Sequence, residues 1–181
     1  MLSYHDHEWG LPVWVNDRRQ FEFLVLESAQ AGLSWRTILY KREGYRHAYE
    51  GFDVEKVSRF GKQKFKMLVS NPDIVRNSRK IEASIINARA FISVQKQFGS
   101  FCKYLWRFVG DRSVVGAWNT EDEIPSATEL SRGISLDLKS RGFKFLGPTI
   151  VYSHLQAVGI VNDHVAGCFR FGQLAARKSQ P

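Results

Sequence analysis

Apolar positions in this chain recur with the period of a helix far more often than with that of a strand. Residues 21–35, Phe21-Glu22-Phe23-Leu24-Val25-Leu26-Glu27-Ser28-Ala29-Gln30-Ala31-Gly32-Leu33-Ser34-Trp35, read as a buried helix. Asp17, with Gln20 three residues on, is placed to cap it, and Gly32 to end it. Ser34 is placed to cap the next helix, through Trp35 and Ile38-Leu39. Asp53 can cap a short helix carrying Val54 and Val57, and Phe65, Leu68 and Val69 lie in another that breaks at Asn71-Pro72. Ile81, Ile85, Ala88 and Ile92 then follow i, i+4, i+7, i+11 spacing, which predicts a long amphipathic helix from about Asn77 to near Gly99. Ser126-Ala127-Thr128-Glu129 reads as a capping box opening a helix that stops at Gly142. Pro148 suits the first turn of another, through Gln156. Residues 110–125 are the least regular stretch. β-branched residues never alternate with polar ones long enough to suggest a sheet, and there is no repeat. The expected fold class is all-α.

Two carboxylates interrupt the apolar run. Glu27 has Leu24 and Ala31 as its i−3 and i+4 neighbours, so it projects from the apolar side of its helix. Glu22 falls on a different face and reads as solvated. An ionised carboxylate among apolar side chains is costly unless it is paired or hydrogen-bonded. Glu27 is therefore either a structural carboxylate, paired with an arginine, or a functional group.

Composition narrows the field. The 181 residues make one domain, read as two small helical lobes around a shared pocket, and 44% hydrophobic residues suffice to fill its interior. No apolar run approaches membrane length. Met1-Leu2-Ser3-Tyr4-His5-Asp6 has neither a basic n-region nor an apolar h-region, so no secretion signal is expected. Two cysteines, Cys102 and Cys168, are too few for a disulfide framework and fit a reducing cytoplasm. A cytoplasmic monomer is the expectation. The formal net charge of +8 favours a polyanionic partner such as nucleic acid.

Three constellations carry candidate chemistry. His5 lies near one end of the chain, in Tyr4-His5-Asp6-His7-Glu8-Trp9-Gly10. His164 and Cys168 lie near the other, at an i, i+4 spacing that faces one way on a helical turn. Imidazole and thiolate together suit Zn²⁺, whereas His7 reads as solvated. Second, helix 61–70, a tight Asn71-Pro72-Asp73-Ile74-Val75 turn and the long helix after Asn77 form a helix-hairpin-helix. Backbone N–H groups there can hold a DNA phosphate, with Arg76, Arg79 and Lys80 adding cationic contacts; the Asp73 carboxylate opposes phosphate locally. Third, Tyr4, Trp9 and Trp35 flank the segment that holds Glu27. A carboxylate ringed by aromatics suits an electron-poor, cationic heteroaromatic. Trp14 and Trp118 read as core packing.

Together these segments resemble the 3-methyladenine DNA glycosylase I family, in the helix-hairpin-helix glycosylase superfamily. The motifs are YHDHEWG at 4–10, LES-AQAGLSW at 26–35, NPDIVRNSRKIEASIINARAF at 71–91, RGFKFLGPTIVY at 141–152 and QAVGIVNDHVAGC at 156–168. Each is weak alone; five in order across nearly the whole chain are specific. The resemblance implies a helical glycosylase fold with the two chain ends brought together, and base-excision repair on double-stranded DNA containing alkylated bases. Glu27 matches the carboxylate of the base pocket and is the expected catalytic residue. Tyr4, Trp9 and Trp35 match the pocket aromatics. His5, His164 and Cys168 match three ligands of a structural zinc. The family's fourth ligand, a Cys upstream of the motif His, has no counterpart in Met1-Leu2-Ser3-Tyr4. Leu33, at the turn after the Glu27 helix, is a candidate wedge for the gap in the base stack, or else a buried interhelix contact. Two other classes stay open: a zinc-dependent hydrolase with water at an open fourth position, and a damaged-DNA-binding module without turnover.

Overall fold

The structure, a computed structural model, describes residues 1–175. Ten α-helices carry it: α1 (Leu2–His7), α2 (Asp17–Gln30), α3 (Trp35–Ala48), α4 (Val54–Ser58), α5 (Lys62–Ser70), α6 (Ser78–Phe98), α7 (Phe101–Trp106), α8 (Glu129–Ser140), α9 (Pro148–Ala157) and α10 (Phe169–Ala175). The architecture is all-α. Among the described residues the only sheet is a two-residue parallel pairing, Val114 with Val161 and Val115 with Asn162. Two residues per strand are too few to leave an alternating pattern in the sequence. No helix among the described residues is long and apolar enough to cross a membrane.

Helix α2 is the centre of the molecule. Phe21, Phe23, Leu24, Val25 and Leu26 are all buried, because α3, α6, α7 and α9 pack around it. Phe21 meets Phe91 of α6 edge-on at 5.4 Å, and Phe91 stacks on Phe101 of α7 at 4.0 Å. Trp14 stacks on the buried Trp106 at 3.5 Å, in keeping with a packing role.

The helix limits follow the caps, with two corrections. Asn16, not Asp17, caps α2, accepting from the Arg19 N–H at 3.0 Å. The Asp17 carboxylate instead accepts from the Phe101 and Cys102 amides (2.8 and 2.9 Å) and from Gln95 Nε2. It thereby satisfies the orphan donors at the start of α7, a helix whose six residues are too few to show periodicity in the sequence. At α8 the cap is Thr128, and its reciprocal partner is Ser131 rather than a motif built on Ser126 and Glu129. Ser34 caps α3 and Asp53 caps α4 as the spacing predicts, and Asn77, near which the long helix is expected to begin, caps α6. Gly32, at φ +78°, turns the chain out of α2.

The chain ends meet. Val13 N–H donates to the Val158 carbonyl at 3.0 Å. A Cβ on Gly10 would lie 2.8 Å from the His164 ring, so only glycine lets the first segment pass beneath the last.

Candidate active site

Glu27 sits in the last full turn of α2 and is 5% exposed. It has no ion pair and no hydrogen-bond partner among the described residues. Burial alone pushes its carboxyl up to about 8. The carboxylate the sequence reads as solvated, Glu22, is the one that is paired. It is 7% exposed, and it accepts from Arg42 Nε at 2.8 Å and pairs with Arg46 at 3.2 Å. The error has a physical source: Arg42 and Arg46 come from α3, a neighbour no pattern within α2 discloses.

Glu27 opens onto a cavity of about 310 Å³ lined by Tyr4, Trp9, Trp35, Gln30, Ser153 and Gln156, with His5, Met1 and Glu121 at its margins. Two polar atoms in this lining, the Tyr4 hydroxyl and the Trp35 indole N–H, are buried with no partner. Unsatisfied buried polar groups are rare, and two at one cavity, beside an unpaired carboxyl, mark a place built for a ligand with its own donors and acceptors. Tyr4 and Trp35 lie with ring centroids 5.4 Å apart, tilted by 51°. Desolvation, reinforced by Glu27 and Glu8, raises the Tyr4 hydroxyl well above its ordinary value, so it stays protonated.

An ion-pair network holds the YHDHEWG segment against the helices. Glu8 binds Arg42 of α3 and Arg19 of α2, and Arg42 continues to Glu22. Tyr4 and Trp9 are thus carried by a segment tied to both helices that frame Glu27.

Sequence reading brought Tyr4, Trp9, Glu27 and Trp35 to one place and missed Gln30, Ser153 and Gln156. A signal for the last two exists: they are polar at i, i+3 spacing within Ile150–Ala157, a stretch whose other residues are apolar or aromatic apart from the buried His154. The side-chain amide of Gln156 donates to Asp163 at 2.8 Å. Asp163 also accepts from Tyr152 and from Trp118 Nε1, the latter at 2.7 Å. Trp118 is therefore more than packing, since its N–H pins the 110–125 loop to the chain end.

Behind the aromatic wall, His5, His164 and Cys168 converge, their ligand atoms all within 4.8 Å of one another. Cys168 Sγ is 3.6 Å from His5 Nε2. Each imidazole has its Nδ1 satisfied, His5 by Asp6 at 2.7 Å and His164 by Asn162 at 3.0 Å. The Nε2 lone pairs are left facing the cluster, and His164 Nε2 is buried without a partner. Two imidazoles held from behind and one thiol fit a metal such as Zn²⁺.

The hairpin corrects two expectations. The Asp73, Ile74 and Val75 amides are already spent on Asn71 and on the Tyr45 hydroxyl. Ile74 is buried, and the Pro72 carbonyl accepts from Lys41. The amides of Arg76, Ser78 and Arg79 have no such acceptor among the described residues, and Arg76 and Arg79 are exposed beside them. Lys80 is not a surface cation: it is 9% exposed and its ammonium donates to the Ala29 and Ala31 carbonyls. Leu33, 40% exposed, stands at the tip of the α2–α3 turn and is not a buried interhelix contact.

An all-α domain whose chain ends close over a carboxylate-floored aromatic cavity, beside a helix-hairpin-helix, defines the architecture of a base-excising enzyme. Residues 1–171 match the family model described as methyladenine glycosylase, and the chain belongs to that family. It is 44% identical over 167 residues to DNA-3-methyladenine glycosylase 1 of Escherichia coli, covering 92% of this chain and 89% of that one. Among solved structures, 3-methyladenine DNA glycosylase I of Staphylococcus aureus superposes with a TM-score of 0.90 at 37% identity, covering 94% and 90% of the two chains. A variant of a 3-methyladenine DNA glycosylase I in complex with 3-methyladenine gives 0.91 at 35% identity, covering 99% and 93%.

Proposed function

We propose that this protein is a DNA-3-methyladenine glycosylase that hydrolyses the N-glycosidic bond of 3-methyladenine in alkylated DNA. The observation that carries the reading is Glu27: a buried, unpaired carboxylate at the floor of an aromatic cavity, beside the unpaired Tyr4 hydroxyl and Trp35 N–H.

Adenine alkylated at N3 already carries positive charge. Cleavage of its glycosidic bond returns the bonding electrons to the base, which leaves neutral, and no general acid is needed. Water adds to the sugar carbon and loses its proton to solvent, leaving an abasic site. The protein must extrude the nucleotide and hold the base. Glu27 accepts from the exocyclic N–H₂, and Tyr4, Trp9 and Trp35 enclose the flat cation. The entering positive charge favours the ionised form of Glu27, so loading of the base is coupled to release of the carboxyl proton. Leu33 fills the gap left in the stack. The free amides of Arg76, Ser78 and Arg79, with the two arginine side chains, hold backbone phosphate.

A zinc ion held by His5, His164 and Cys168 serves structure in this reading: it would fasten the segment bearing Tyr4 and Trp9 to the far end of the chain. A hydrolase using metal-bound water is disfavoured, because the nearby carboxylates are engaged. Asp6 holds His5, Glu8 is in ion pairs and Asp163 accepts three donors.

Incubation with methylated duplex DNA, followed by chromatography of the released bases, tests the function. Free 3-methyladenine is expected. Tight binding to damaged duplex without release would instead establish a non-catalytic module.

A further inference from the structure

Lys80 lies in the first turn of α6, one residue from Arg79, but its side chain runs inward. The ammonium donates to the Ala29 carbonyl at 2.8 Å and the Ala31 carbonyl at 2.5 Å. These carbonyls close α2, where no following amide can satisfy them. The same turn continues within two residues to Leu33, and Glu27 lies two residues before Ala29. Local bonds also fold this turn: Leu33 N–H donates to the Gln30 carbonyl at 2.7 Å, and Gln30 Nε2 to the Leu33 carbonyl at 3.1 Å. Lys80 supplies a tie from another helix. An ammonium enclosed by two carbonyls is presented neither to a phosphate nor to a sugar carbon, so electrostatic steering and nucleophilic attack both fall outside its reach.

We infer that Lys80 is a positioning residue that fastens the α2–α3 turn to the first turn of the hairpin helix, so that phosphate grip and Leu33 insertion act on the duplex as one rigid unit. The hairpin alone can anchor the backbone, and the turn alone can present Leu33. Extrusion of a base needs the two at a fixed separation, since a wedge that gives way under load does not open the stack. The inference rests on the glycosylase reading and on the wedge role of Leu33.

The test is a double-mutant cycle in the full chain, Lys80→Met with and without Leu33→Ala. Three quantities are read: affinity for free 3-methyladenine, affinity for undamaged duplex, and single-turnover excision from methylated duplex. Lys80→Met should leave both affinities within about twofold of the parent and slow excision by about tenfold or more. In the Leu33→Ala background the same change should slow excision by less than about twofold, because the element it steadies is already gone. An undiminished loss in that background overturns the inference in favour of general destabilisation. Weaker duplex binding with a reduced salt slope overturns it in favour of a phosphate contact. If Lys80→Met does not fold, the same cycle on Lys80→Gln, which keeps a donor amide, decides between these outcomes. Failure of the unmutated chain to release 3-methyladenine would instead defeat the functional reading, and is separately visible.

Discussion

The His164 imidazole packs against the Trp9 indole, with ring centroids 4.4 Å apart. One face of the metal-type cluster is thus the back of the base cavity. His164→Ala removes both a ligand and the support of a cavity wall. Melting temperature should fall, by an amount corresponding to about 2–4 kcal/mol for loss of a buried ring. Zinc, measured by elemental analysis on protein prepared without chelators, should drop from about one per chain to near zero. Absence of metal from the unmutated protein would remove the zinc proposal while leaving the packing effect intact.

Glu27→Gln should slow excision by about ten- to a hundredfold, the equivalent of 1.5–3 kcal/mol for a charged buried hydrogen bond. Its effect on stability should have the opposite sign. An unfolded glutamate titrates near 4.5, whereas burial lifts the folded Glu27 to about 8. Between these values the folded state binds more protons, so stability present below pH 4.5 is lost as pH rises to about 8. The variant lacks this loss and should melt higher than the parent at pH 8. Thermal melts across pH 4.5–9 check the sign; equal slopes for the two proteins would show that Glu27 is not desolvated.

Excision by the unmutated enzyme should rise with pH through the upper part of the same range, because the ionised carboxyl is acceptor-only and binds the N–H groups of a cationic base more strongly than the protonated acid does. Single-turnover rates in a pH series measure this. A flat profile would indicate that the base enters without deprotonating Glu27.

DNA affinity should be salt-sensitive, with Arg76 and Arg79 contributing through phosphate. Log affinity should fall with log salt at a slope of about −0.9 for each phosphate contact. Charge reversal at both positions should weaken binding to abasic-site duplex and make the slope shallower by one to two units of about 0.9. An unchanged slope would place the DNA on another face.

Selectivity should follow from the Glu27 acceptor. Guanine alkylated at N7 presents its O6 where adenine presents N–H₂, and two acceptors would face one another in a water-poor cavity. Chromatography of bases released from randomly methylated duplex should show 3-methyladenine far in excess of N7-methylguanine. Comparable release of both would defeat the role given to Glu27.

The sequence made the helices legible where periodicity had room: α2, α6 and α9 each run ten residues or more. It concealed α7, whose six residues depend on a cap supplied by Asp17 from 84 positions away. The site was legible to the extent that its residues stand in local motifs, as Tyr4, Trp9, Glu27 and Trp35 do. Partners drawn from other helices were not. Glu22 looked free because Arg42 lies on α3, and Lys80 read as a phosphate contact because its acceptors lie at the C-terminal end of α2. Charge type can be read from a chain, but the destination of a long side chain depends on which helix end lies within its reach.

The closure of the two chain ends has a consequence for biosynthesis. His5 and Cys168 touch across a sequence separation of 163 residues. A chain emerging N-terminus first displays the Leu33 turn and the hairpin long before the segment around His164 and Cys168 exists. Tyr4 and Trp9 can therefore take their final places only after the segment through Cys168 has been synthesised. An interrupted product would retain the means to grip DNA but have an unfinished base chamber. Joining the first motif to the last thus makes competence for excision wait on the synthesis of the His164–Cys168 segment.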